Sequence, residues 1–347
     1  MATEKARRKS LPHLLPEDII LEILLQLPVK SLVRFRCICK SWVALIDEPG
    51  FTKRRNQRRI IFSAFNKPPF SIESMDFEGL DNNLVTFNLP LKKTPKPRIE
   101  VLVLGSCNGL LLCKLHQNFE DNLFLCNPTT RQCKELPQTG FCRCSLNFYG
   151  FSYDSSTDDY KVVRGLCRLV KHFKRCHKKA SRIKIYSRKT NSWKRIEEFP
   201  SLRFFQSIGA LVNGFLHWKG DLQPCKKWLL IAFDLEKEKF REVPKPDFGD
   251  WGFIHQVCVL DGCLCVVCGH CERYTKDLSL KVWVMKEYGV KESWTCLLTI
   301  RPSETILGVS LAILPLCTTN GGELVLQLTR GRIVKYNFKE EKFGVHE

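Results

Sequence analysis

Two kinds of β-hairpin turn alternate along most of this sequence, and their spacing constrains the fold more than any other feature. Asn-Gly or Asp-Gly between apolar runs predicts a two-residue type I′ turn, because both central residues need positive φ. Such turns are predicted at Asn108, Asn213 and Asp261, and Asn320 begins a looser version. Each turn predicts that the two flanking apolar runs pair as antiparallel strands.

A second pattern alternates with these hairpins. A polar residue that opens a turn follows an aromatic or small apolar residue, and another apolar residue comes six positions after the opener. The openers are Asn127, Ser187, Asp234 and Asn337, the residues before them are Cys126, Tyr186, Phe233 and Tyr336, and the later apolar residues are Cys133, Trp193, Phe240 and Phe343. The segment around Trp283 and Trp294 has the same pattern with a longer turn. Each instance predicts a second hairpin.

A pair with one hairpin of each kind recurs about every 45 to 60 residues, which is the repeat length of a four-stranded propeller blade. Five such units lie near 101–137, 148–200, 208–244, 256–300 and 307–347. The stretch 60–90 can supply a further blade or the strand that closes the ring. We therefore predict an all-β propeller-like domain of about six blades, with five or seven as alternatives. A β-sandwich also contains many short strands, but it does not explain two alternating turn patterns at a blade-length period.

The N-terminal part has a helical pattern that occurs once. Apolar residues recur at three- and four-residue spacing from Ile19 to Leu27, Pro16 suits a first helical turn, and Pro28 should end the helix. Two further apolar sets predict two more short helices before Pro49. Three short helices cannot bury this many apolar residues alone, so the block is expected to need a partner. A helical cap packed on the same chain is the alternative.

The order of residues in this block resembles the F-box. The matching elements are Leu15-Pro16-Glu17, Ile23-Leu24, Leu27-Pro28, Leu32, Phe35-Arg36, Cys39-Lys40-Ser41-Trp42, Pro49 and Phe51. The resemblance implies docking onto a Skp-type adaptor and, through it, onto the cullin and RING subunits of a ubiquitin ligase. The residues expected to contact the adaptor are Leu15, Pro16, Ile19, Ile20, Ile23, Leu24, Leu27, Pro28, Leu32, Cys39 and Trp42.

The strand-rich region resembles the F-box-associated, kelch-like domains of a large land-plant family. The likeness lies in 105–110, 127–131, 153–162, 186–193 and 293–294. The expected domains are a basic flexible tail (1–12), a three-helix F-box (13–56), a linker with the first or closing strands (57–98) and the propeller (99–347). The implied function is substrate recognition in an SCF-type (Skp-cullin-F-box) E3 ubiquitin ligase, in which the propeller holds a protein substrate for ubiquitination and degradation.

The charge of the chain predicts an acidic partner. Lys and Arg number 55 and Asp and Glu 36, which gives a net charge of +19. No acidic residue occurs between Lys161 and Arg195, and the candidate substrate loop in this run contains Lys171, Lys174, Arg175, Lys178 and Lys179. Because only Phe173 interrupts its basic residues, the loop lacks the aromatic residues on which nucleic-acid bases stack, and an acidic protein is favoured. The alternative function is a basic propeller scaffold that binds nucleic acid or another acidic partner without a ligase role.

The cysteines and histidines suggest packing rather than a metal or catalytic site. Cys268 and Cys271 have metal-ligand spacing within a cluster that also contains Cys258, Cys263, Cys265 and His270. Cys263 and Cys265 fall on one face of a predicted strand and Cys268 on the other, so we predict buried thiols and no metal. The 18 cysteines of a chain without a secretory signal predict reduced thiols.

No sequence motif predicts catalysis. A Gly-rich phosphate loop and a Gly-x-Ser-x-Gly elbow are both absent, and acidic residues such as Asp154 and Asp159 lie in predicted turns. His217 lies within a strand and is expected to be a satisfied buried residue. We therefore predict a non-catalytic adaptor subunit without cofactors. The lack of a signal peptide or a long apolar run predicts a cytoplasmic or nuclear protein that does not enter a membrane.

Overall fold

The structure, a computed structural model, describes eighteen segments of the chain. They are residues 15–27, 29–47, 51, 59–63, 71–76, 85–88, 100–117, 120–128, 130–139, 146–167, 183–196, 202–204, 208–222, 227–247, 252–271, 278–300, 313–328 and 332–345. The chain forms two compact units, Met1–Arg58 and Arg59–Glu347.

The described part of the first unit contains three helices with a small core of their own. The helices are α1 (Glu17–Gln26), α2 (Val29–Phe35) and α3 (Lys40–Asp47). The acidic residues Glu17 and Asp18 lie in the first turn of α1, where they complement the helix dipole. Leu24, Leu32 and Phe51 are buried together. None of the described helices is long and apolar enough to cross a membrane.

The second unit contains 24 described strands in six antiparallel sheets, numbered here as blades 1 to 6. Blade 1 comprises β1 (Arg59–Ser63), β2 (Ser71–Asp76) and β3 (Val85–Asn88). Blade 2 comprises β4 (Glu100–Cys107), β5 (Leu110–Gln117), β6 (Glu120–Asn127) and β7 (Gln132–Glu135). Blade 3 comprises β8 (Leu146–Asp154), β9 (Asp159–Cys167), β10 (Ile183–Ser187) and β11 (Ser192–Ile196). Blade 4 comprises β12 (Leu202–Phe204), β13 (Ala210–Val212), β14 (Phe215–Leu222), β15 (Lys227–Asp234) and β16 (Lys239–Val243). Blade 5 comprises β17 (Gly252–Leu260), β18 (Cys263–Cys271), β19 (Leu278–Met285) and β20 (Trp294–Ile300). Blade 6 comprises β21 (Ile313–Thr318), β22 (Leu324–Leu328), β23 (Ile333–Asn337) and β24 (Lys342–Val345). In blade 4, both β12 and β13 pair with β14, so two short strands share the first position of that sheet.

Hydrophobic clusters between successive sheets close the ring. Pairs of buried residues from neighbouring blades are Ile72 and Leu111, Leu104 and Tyr149, Phe148 and Leu216, Val212 and Val257, and Cys265 and Leu326. Ile60 of blade 1 packs against Cys317 and Val325 of blade 6. The prediction of about six blades is confirmed, and this closed arrangement excludes the β-sandwich.

The predicted type I′ turns are present in the structure. Asn108 and Gly109 have φ angles of 48° and 75°. In the turns at Asn213 and Asp261, the opening residue and the glycine after it likewise both have positive φ. In the looser turn after Asn320, only Gly322 has positive φ among the described residues. The four-residue turns are stabilised by their openers, as at Asp234, whose Oδ1 accepts the backbone N–H groups of Glu236 and Lys237.

The residue before each turn opener pairs directly across the strands with the apolar residue six positions after the opener. Tyr186 faces Trp193, Phe233 faces Phe240 and Tyr336 faces Phe343, with ring centroids 5.4, 4.7 and 4.9 Å apart. In blade 2 the same position holds Cys126 and Cys133, which form a disulfide. The expectation of reduced thiols is wrong for this pair, because direct pairing across an antiparallel ladder brings the two sulfur atoms together.

Candidate interaction surfaces

Three large apolar side chains form an exposed row along the first helix. Leu15, Ile19 and Ile23 are 45, 46 and 44% exposed. They are spaced four residues apart, so they follow one side of α1 and the turn before it. The opposite side contributes the buried Leu24 to the core of the unit. The helix therefore has an apolar surface that its own unit leaves open.

The other residues expected at an adaptor contact differ in exposure. Pro16 and Cys39 are exposed, whereas Ile20, Leu27 and Trp42 are half-buried against the helical core. This leaves two that are buried and one that is not described. Leu24 and Leu32 are 0 and 4% exposed, so they hold the three helices together. Pro28 lies outside the described residues.

Two exposed residues between α2 and α3 add to this part of the unit. Ile38 is 57% exposed and is not among the residues that the sequence predicts at the adaptor contact. The Cys39 Sγ lies 3.1 Å from Ser41 Oγ. This hydrogen bond and one with the backbone of Trp42 lower the pKa of the Cys39 thiol. Ile38 lies four residues before Trp42, within the apolar set that predicts the third helix, but periodicity alone does not show that its side chain faces water.

The basic loop predicted to contact a substrate lies outside the described residues. Strand β9 ends at Cys167 and β10 begins at Ile183. Lys171, Lys174, Arg175, Lys178 and Lys179 all fall between these strands. Their role remains a prediction from the sequence.

His217 is a buried, fully bonded residue, as predicted. Its side chain is 0% exposed, its Nδ1 lies 3.1 Å from the Ala210 carbonyl oxygen, and its Nε2 lies 2.7 Å from the Tyr288 hydroxyl oxygen. Burial lowers the pKa of His217 to about 4, so the ring is neutral near pH 7. It joins blade 4 to the turn between the last two strands of blade 5.

The acidic residues of the turn after β8 have a local structural role, as the sequence predicts. Asp154 Oδ1 accepts hydrogen bonds from the backbone N–H and the hydroxyl of Ser156, and its Oδ2 accepts one from the Thr157 hydroxyl. Asp159 Oδ1 accepts the backbone N–H of Lys189 at 3.0 Å. These carboxylates therefore hold turns in place.

The cysteines of blade 5 lie on both faces of β18. Cys265 packs towards blade 6 together with Cys263, whereas Cys268 packs towards blade 4, as the strand alternation predicts. Cys258 and Cys265 face each other across the ladder as free thiols. Their hydrogen bond and burial raise the pKa of Cys265, and burial raises the pKa of Cys268 to about 12. Cys265 and Cys268 are therefore protonated packing residues.

Two family profiles match the chain, one in each unit. The F-box domain profile matches residues 13–54, and the F-box associated beta propeller domain profile matches residues 62–325. The Arabidopsis thaliana F-box/kelch-repeat protein At3g23880 is 31% identical over 98% of this chain and 92% of its own length. The Arabidopsis F-box protein CPR1 is 30% identical over 95% of this chain and 83% of its own length.

These matches agree with the geometry of both units. The first profile covers the three helices, and the second covers most of the ring of blades. The chain belongs to the family of F-box proteins that carry an F-box associated β-propeller domain.

Proposed function

We propose that this protein is the substrate-recognition subunit of an SCF-type E3 ubiquitin ligase. Its helical unit docks on a Skp-type adaptor, which connects it to cullin and RING subunits, and its propeller binds the protein to be ubiquitinated. The observation that carries this proposal is the exposed apolar row Leu15, Ile19 and Ile23 on a helical unit that matches the F-box. Such a row is typical of a protein interface.

The proposed mechanism is proximity and requires no chemistry by this chain. Holding the substrate and the ligase in one complex raises the local concentration of substrate lysines near the ubiquitin-loaded enzyme. The described polar residues agree with this role, because His217 and Asp154 are engaged in structural hydrogen bonds. The basic loop between β9 and β10 is a further candidate contact for an acidic substrate.

Adaptor binding by an interface variant tests the proposal. Leu15→Ala combined with Ile23→Asp places an unpaired carboxylate in the docking surface and should abolish co-purification of a Skp-type adaptor. Both side chains are exposed in the free chain, so the variant should keep its fold. Ala44→Asp adds the same charge at an exposed position of α3 and is the control. Retention of the adaptor by the double variant would refute the docking assignment.

A further inference from the structure

Arg241 is stacked on two aromatic rings at one end of the propeller. Its Cζ lies 4.2 Å from the ring centroid of Phe215 and 5.6 Å from that of Tyr288. Phe215 follows the type I′ turn at Asn213, and Tyr288 lies in the turn between β19 and β20. The two rings stack with centroids 5.6 Å apart. The guanidinium is thus positioned where blades 4 and 5 meet.

The hydrogen bonds that connect Ala210, His217 and Tyr288 to this guanidinium have only one possible donor and acceptor order. The Ala210 carbonyl can only accept, so His217 Nδ1 carries the proton, and Nε2 of the neutral ring must accept. The Tyr288 hydroxyl therefore donates to His217 Nε2, at 2.7 Å. Its oxygen is then left to accept from Arg241 Nη2, at 3.2 Å. A buried histidine thus fixes the tyrosine hydroxyl, which in turn orients the arginine.

Most of the hydrogen-bonding capacity of Arg241 remains available. A guanidinium has five N–H donors in a fixed plane, and the Tyr288 hydroxyl is the acceptor of one of them. The side chain is exposed, and no acidic side chain forms an ion pair with it in the described part of the chain. Asp234 pairs with Phe215 across the ladder, and its Oδ1 accepts two backbone N–H groups of its own turn. An oriented guanidinium of this kind matches the geometry of a carboxylate or phosphate.

We infer that Arg241, held by Phe215 and Tyr288, is a recognition point for an oxyanion side chain of a bound peptide. The inference deepens the proposed function, because it assigns a chemical class to the substrate segment that the propeller binds. The oxyanion is the carboxylate of Asp or Glu or the phosphate of a phosphorylated residue. The half-buried Phe215 and Tyr288 rings would pack against the apolar part of the same peptide, since aromatic residues and arginine commonly anchor interfaces.

Degenerate peptide libraries test this inference with the full-length chain. Three nine-residue libraries carry Glu, phosphoserine or Gln at the central position and are otherwise randomised. We expect the immobilised protein to retain the Glu or the phosphoserine library about tenfold better than the Gln library, as a charge-assisted bidentate contact allows. The library that is preferred identifies the source of the oxyanion.

Three variants separate the stacked arginine from general basicity. Arg241→Gln should remove the preference, and Arg241→Lys should lose most of it, because lysine keeps the charge but not the planar fork. Tyr288→Phe keeps the ring but removes the hydroxyl that orients the guanidinium, so it should weaken the preference without abolishing it. Arg332→Gln removes one charge at another exposed position and is the matched control. Melting temperatures verify that each variant is folded.

Two outcomes would overturn the inference. One is equal retention of the three libraries by the wild-type protein. The other is an equal loss of retention in Arg241→Gln and Arg332→Gln, which would attribute binding to the overall charge. Adaptor binding is measured on the same samples. If the wild-type protein does not bind the adaptor, the ligase proposal alone is refuted. If it binds the adaptor but shows no preference among the peptide libraries, the oxyanion site alone is refuted.

Discussion

Lys161 Nζ lies 2.6 Å from Asp154 Oδ2, and both side chains are buried at the boundary between blades 3 and 4. The same ammonium donates a hydrogen bond to the Leu235 carbonyl oxygen of blade 4 at 3.2 Å. Lys161→Ala should therefore lower the free energy of unfolding by about 3 kcal/mol, because it leaves a buried carboxylate without its cation. Urea denaturation measures the effect.

An exposed ion pair in the same region is the control for this prediction. Lys189 and Asp158 lie 3.3 Å apart, with side chains 54 and 77% exposed. Lys189→Ala should cost less than about 1 kcal/mol, since water screens exposed pairs. Equal losses in the two variants would show that the Lys161 pair does not stabilise the boundary between blades.

The Asp154 carboxyl should make the fold sensitive to acid. Burial raises the pKa of Asp154, but hydrogen bonds from Lys161, Ser156 and Thr157 lower it by more, and the net pKa is below its usual value. A group with a lowered folded-state pKa stabilises the fold above its unfolded pKa, about 4, and loses that contribution as the pH falls. Asp154→Asn should therefore be less stable at pH 7 and show a flatter decline from about pH 5 downwards. A decline as steep as that of the wild type would contradict this assignment.

Gly150 allows the indole of Trp218 to pack between blades 3 and 4. A Cβ at this position would lie 2.6 Å from Leu216 Cδ1 and 2.8 Å from Trp218 Cζ2. Gly150→Ala should destabilise the protein by about 1 to 3 kcal/mol, because the indole is fully buried and cannot move freely. Gly321→Ala meets only Thr319 Oγ1 at 3.6 Å, so it should change stability by less than about 0.5 kcal/mol. Thermal denaturation of both variants distinguishes the two sites.

The disulfide between Cys126 and Cys133 should be detectable in the purified protein. Alkylation under denaturing, non-reducing conditions should leave these two cysteines unmodified, whereas Cys258 and Cys265 should react as free thiols. Reduction should lower the free energy of unfolding by about 2 to 3 kcal/mol, because the bond closes a short loop. Alkylation of Cys126 and Cys133 without a reductant would contradict the pairing.

Local turn chemistry made the blades predictable from the sequence. The Asn108-Gly109 turn and the Asp234 opener act through backbone groups a few residues away, so the residue types alone indicate the hairpins. Which residues face each other across the strands was harder to predict from the sequence. Trp294 faces Met285, and Trp283 faces Cys296 after a register shift, which the spacing of two tryptophans does not specify.

Contacts between distant residues could not be predicted in this way. Arg241 and Tyr288 belong to neighbouring blades, and only the packing of blade 4 against blade 5 brings them together. In the helical unit, periodicity identifies apolar residues but not which of them face water. Leu24 and Ile23 are neighbours in one pattern, yet one is buried and the other is 44% exposed.

Affinity purification with mass spectrometry, with and without inhibition of cullin-based ligases, tests the central claim most directly. The wild-type chain should recover a Skp-type adaptor and a cullin, together with a bound protein that accumulates and loses ubiquitin when the ligase is inhibited. The Leu15→Ala, Ile23→Asp variant should lose the adaptor and the cullin but keep that bound protein. Failure of the wild-type chain to recover an adaptor, or bound proteins that do not respond to ligase inhibition, would contradict the account.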